Sequence, residues 1–87
     1  MVTEMLLEKV KAVDSKERLA DFVAALAKDL QENSEEWENV TLERFLGAME
    51  AWIGAMDGYY RNTWQPIPDL PTWRTFADIL MAARVYE

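Results

Sequence analysis

All three prolines of the chain, Pro66, Pro68 and Pro71, fall within one short segment. Each lacks an amide hydrogen and fixes its own φ, so neither a helix interior nor a central strand can run through them, and each drives the residue before it towards extended backbone. The segment is therefore a rigid corner between a long proline-free stretch and a short final one.

The proline-free stretch reads as three helices. Val2, Leu6, Val10 and Val13 form one apolar stripe, and this terminal segment, residues 1–13, is where fraying is expected. Asp14 and Glu17 have the spacing of a D-x-x-E capping box. After it, Leu19, Phe22, Val23, Leu26 and Leu30 recur at helical spacing, with Asp21, Lys28, Asp29 and Glu32 on the side assigned to solvent. From Glu32 to Glu43 there are five carboxylates and no basic residue, which suits a hydrated connector better than an anionic docking patch. Trp37 within it is expected to fold back onto the core.

Thr41 is the predicted N-cap of the third helix, with Val40 and Phe45 as a hydrophobic staple. Leu42, Phe45, Leu46, Met49, Trp52, Ile53, Met56 and Tyr60 share one broad side, assigned to the core; Gly47, Ala51, Gly54, Ala55 and Gly58 share the other. Glycine inside a helix costs about 0.5–1 kcal/mol relative to alanine, so the strip predicts a close approach, by helix 1 or segment 63–71 first and by a second subunit or a ligand otherwise. Beyond the prolines, Thr72 caps a last helix running to Tyr86, with Trp73, Phe76, Ile79, Leu80 and Ala83 inward. Arg74 lies in its first turn, where the helix dipole disfavours a cation, so a carboxylate is expected beside it, Asp69 or Asp57. The prediction is all-α: one domain, residues 1–87, a compact bundle of about four helices with the proline-rich loop between helices 3 and 4.

Composition excludes more than it suggests. The chain has neither cysteine nor histidine, which removes disulfides, the usual zinc, haem and iron–sulfur ligands, the thiol nucleophile and the commonest acid/base side chain. No cofactor and no metal are expected; Asp57-Gly58-Tyr59 lacks the alternating oxygen ligands of a calcium loop. Asp57, Asp69 and Asp78 have no spacing that marks a catalytic pair, so the chain is not expected to be an enzyme, and a carboxylate-based one is the least favoured reading. A net charge of −7 argues against nucleic acid or an anionic membrane and is compatible with a basic protein partner. No apolar run approaches the ~20 residues of a membrane span, and Glu4 interrupts the first apolar stretch, so neither a membrane helix nor a leader is expected and the cytoplasm is the expected compartment.

The sequence features that favour an interaction protein lie around the prolines. Aromatic and arginine side chains dominate interface hot spots, and Tyr59, Arg61, Trp64, Asp69 and Arg74 form the candidate binding set, with Tyr60 and Trp73 turned inward. The same residues suit a corner that only closes the core. A monomer is expected; a self-associating structural protein, dimerising through Gly47, Gly54 and Gly58, is the alternative.

The strings EEWENVTLERFL, AWIGAMDGYYRN, QPIPDLPTW and TFADILMAARVYE, from Glu35 to the C-terminus, resemble a family of small uncharacterised bacterial proteins, a domain of unknown function. The resemblance implies no activity, substrate or catalytic residue. It adds an immunity- or regulator-like role as one expectation.

Overall fold

A computed structural model describes the backbone of residues 2–87 and the side chains of residues 4–87. It contains α1 (Val2–Lys11), α2 (Lys16–Glu32), a 3₁₀ turn (Ser34–Glu36), α3 (Leu42–Asn62) and α4 (Trp73–Ala83), with no strand among the described residues. The chain is an all-α bundle whose proline segment joins α3 to α4.

The centre of the fold is α4, the one helix that closely approaches each of the other three. Its inward residues explain why. Ala77 and Ala83 are fully buried, and their short side chains let helices close on α4 from two sides. On one side Leu6, Val10 and Val13 of the α1 stripe meet Phe22 and Leu26 of α2 and Ala77 of α4. Each fully buried side chain of the size of Phe22 contributes roughly 1.5–3 kcal/mol. Val2, also assigned to that stripe, has its side chain outside the described residues.

On the other side lies α3, and here the structure corrects the sequence reading. The helix approaches α4 alone, through Ala48, Trp52 and Tyr60. Leu42, Leu46 and Ile53, assigned to the core, are 73%, 51% and 45% exposed. The glycine strip is not approached either: a Cβ at Gly47, Gly54 or Gly58 would meet nothing within 4 Å. A helix resting on one neighbour buries one narrow face, whatever the width of its apolar side.

Other assignments shift in the same way. Trp73 and Phe76, expected inside, are each nearly half exposed and rest on one another with ring centroids 6.4 Å apart. Small and polar residues, Thr75, Ala77, Asp78 and Ala83, are the ones α4 buries, because a helix held between neighbours has no room inward for its bulky first-turn aromatics. Asp14 is not the N-cap of α2. Val13 is buried and its amide bonds to the Val10 carbonyl, so the chain turns outward at Asp14, and Ser15 caps instead, its Oγ accepting from the Arg18 amide at 3.2 Å. The caps at Thr41 and Thr72 form as expected, Thr72 in a reciprocal capping box with Thr75. Helix α4 stops at Ala83 rather than Tyr86.

Candidate interaction site

Two buried polar clusters hold the connectors. Asp29, assigned to solvent, is 3% exposed. Its Oδ2 accepts from Trp37 Nε1 at 2.7 Å and Arg84 Nη1 at 3.4 Å, and its Oδ1 from Asn33 Nδ2 at 3.0 Å. The Arg84 guanidinium also lies over the Trp37 ring, 5.9 Å from its centroid. An acid in the last turn of α2 opposes the helix dipole, and the buried arginine offsets it. Trp37 thus folds back on the core as expected. Beside it, Asn39 Nδ2 donates to the Ala83 and Tyr86 carbonyls at 2.9 and 2.8 Å, and its amide donates to the Arg84 carbonyl. The Ala83 carbonyl is an end group of α4 that its own backbone cannot satisfy, and the other two lie at its cap and in the turn beyond.

The second cluster joins α3 to α4. Tyr60 donates its hydroxyl to Asp78 Oδ2 at 2.7 Å, while Arg74 Nε donates to Asp78 Oδ1 at 3.0 Å. Arg74 therefore finds its carboxylate one turn along its own helix, at Asp78, and not at Asp69 or Asp57. Burial first, and the bond to Asp78 second, push the Tyr60 phenol well above its ordinary value.

The five candidate binding residues do not form one surface. Tyr59 lies against the Trp52 ring, with centroids 5.4 Å apart, and lines a hollow with Arg74. Arg61 is exposed two positions on, which turns it to the far side of α3. Asp69 is exposed in the loop. Trp64 is 95% exposed with φ 59°. Its backbone has a cause: the amides of Trp64 and Gln65 donate back to the Arg61 and Tyr60 carbonyls, the Schellman closure of a helix end, in which the left-handed position is most often glycine.

A different concavity is lined almost wholly by apolar side chains. Because α2 and α3 both lean on α4 without approaching each other, a cleft of about 330 Å³ opens between them, with Val23 and Leu30 on one wall, Leu42 and Phe45 on the other, Leu80 at the floor and Trp37 at one end. Trp37 and Phe45 stack there, ring centroids 6.1 Å apart. Leu46 and Ile53 continue the Leu42 edge along α3. Beside that edge runs an acidic row: Glu43 stands three residues before Leu46, Glu50 four after Leu46 and three before Ile53, and Asp57 four after Ile53, spacings that make each acid a surface neighbour of a leucine or isoleucine. Arg61 ends the row. Neither the cleft nor the row was singled out from sequence, since the apolar half had been assigned to the core; the heptad-like recurrence of 43, 50 and 57 was the signal available.

Among the described residues no group of three or more acidic side chains is placed to hold a metal ion, and no helix is long and apolar enough to cross a membrane. No curated protein and no solved structure matches the chain. Its sequence matches the Family of unknown function (DUF7660) over residues 15–87, from the cap of α2 to the C-terminus. The match takes in all of α2, which the resemblance read from sequence, beginning at Glu35, did not. Nearly the whole bundle, with both polar clusters and both walls of the cleft, falls within those residues, and the chain belongs to that family of unknown function.

Proposed function

We propose that the chain is a non-catalytic protein-interaction module of the cytoplasm that binds a basic partner through the apolar cleft between α2 and α3. The observation that carries this reading is the exposure of Leu42, Leu46 and Ile53 along one edge of a well-capped helix. Large apolar side chains gathered at one edge of a cleft are a mark of an interaction surface, whereas single ones are ordinary. The carboxylates that a catalytic reading needs are differently disposed: Asp78 is tied to Tyr60 and Arg74, and Asp57 and Asp69 face solvent. An immunity- or regulator-like role belongs to this class of function.

The test is capture from the native host with the wild-type chain and with Leu46→Glu, the helical content of both checked by circular dichroism. A protein retained by the first and lost by the second supports the reading. Identical sets of retained proteins overturn it.

Trp64 favours a second surface. A fully exposed indole held in a left-handed backbone position costs about 1–2 kcal/mol that glycine would not, and rigid neighbouring prolines hold it outward at small entropic cost on binding. If this is the surface used, Trp64→Ala abolishes capture and Leu46→Glu does not.

A further inference from the structure

The shape and charge of the cleft specify what fills it, given the reading that the cleft is a docking site. Its walls are apolar side chains, so an extended segment laid there would leave backbone amides and carbonyls without partners, at a cost of several kcal/mol for each buried pair. A helix satisfies its own backbone and presents only side chains. Two helices that rest on a common third without approaching each other leave the place that another helix takes in a bundle. From Leu42 to Asp57 the edge is about 22 Å long, the length of a helix of about fifteen residues.

Charge then selects among helices. The row Glu43, Glu50 and Asp57 lies at the solvent side of the apolar edge, and the acidic connector with Glu35, Glu36 and Glu38 lies just before α3. The nearest arginine in sequence, Arg44, is two positions from Leu42 and so faces away. A second copy of this chain, laid antiparallel on the same edge and centred on Glu50, would set acid against acid along the row, a juxtaposition that costs stability. We propose that the occupant is a cationic amphipathic helix of a protein partner, its apolar stripe against Leu42, Leu46 and Ile53 and its lysines or arginines against Glu43, Glu50 and Asp57.

The experiment uses the intact chain and three synthetic peptides of about eighteen residues: one with leucines at helical spacing flanked by lysines, one with glutamates replacing the lysines, and one with the first composition scrambled so that no stripe forms. Binding is followed by calorimetry and tryptophan emission. The striped cationic peptide is expected to bind at least about tenfold tighter than either other, and to weaken with salt. Leu46→Ser and Glu50→Lys should each weaken it by about tenfold, the scale of one lost apolar contact or close charge pair. Asp21→Lys, on the exposed side of α2 turned from the cleft, should change it less than twofold. Equal binding of the scrambled peptide, or an equal loss in Asp21→Lys, overturns the proposal in favour of diffuse charge attraction. A dimer in sedimentation that Leu46→Ser dissolves overturns it in favour of a second copy. If the glutamate peptide binds tightest and that binding needs Leu46, the cleft is a docking site for an anionic helix: the proposal falls and the module reading stands. If no peptide depends on Leu46 and capture from the host does not either, both fall.

Discussion

Arg84 reaches back across 55 positions of sequence to Asp29, ending 3.4 Å from its carboxylate in a site closed to solvent on both sides. The contact ties the end of α4 to the end of α2 and traps Trp37 beneath the guanidinium. Taking a charge pair out of water is costly, so its worth lies in the bonds around it, and removing one member leaves the other buried and unpaired.

Asp29→Ala strands Arg84, the Trp37 indole N–H and the Asn33 amide at once. The expected loss is about 3–5 kcal/mol, a fall in melting temperature of about 12–40 °C for a chain of this length. Replacing both charges by apolar residues, Asp29→Leu with Arg84→Met, should recover most of it, measured by thermal unfolding.

Tyr60 makes stability sensitive to alkali. Its phenol is raised by burial and by the bond to Asp78, so the folded chain keeps the proton that the unfolded chain releases near pH 10. The stabilisation is complete below about pH 10 and declines as pH rises beyond it, because the unfolded state then binds fewer protons. Tyr60→Phe should cost about 1–3 kcal/mol at neutral pH through the lost bond to a charged acceptor. Denaturant titrations at pH 8 to 11 should show a shallower alkaline decline in the variant than in the parent.

The glycines of α3 are free to be replaced. At Gly54 a methyl group meets only solvent, so Gly54→Ala should stabilise by about 0.5–1 kcal/mol through helix propensity alone. A lower melting temperature would mean that something packs on that strip.

Trp64→Gly removes a left-handed tryptophan from a Schellman closure and should raise stability by up to about 1 kcal/mol. Trp64→Ala should not. In variants with one tryptophan, acrylamide should quench Trp64 most strongly and Trp52 least, following their exposure.

Trp52 is buried, as its place on the core side of helix 3 predicts, whereas Trp73, also expected inside, is not. Trp52→Ala should cost about 3–5 kcal/mol, as aromatic truncation in a core does, since Trp52 is buried against Tyr59 and Tyr60. Trp73→Ala should cost well under half of that, because much of its ring is in solvent. Denaturant midpoints of the two variants decide.

What the amino-acid sequence determined by itself is local. The prolines after Asn62, the hydroxyl caps at Thr41 and Thr72 and the stripe through Leu6, Val10 and Val13 act within a few residues, and each produced the element its chemistry predicts. A stripe reports that a helix has an apolar side; it does not report how many neighbours that side will meet. That depends on which helices pack together. With α4 in the middle and α3 resting on it alone, Leu46 faces water, Trp73 lies outside, and the glycines have nothing against them. The same holds for polar groups: Asp29 reads as one more acid on a wet face until Trp37 and Arg84 arrive from outside its helix and join Asn33 in satisfying it. Those contacts span up to 55 residues, beyond the reach of any periodicity, and tertiary packing alone decided both the buried carboxylate and the open cleft.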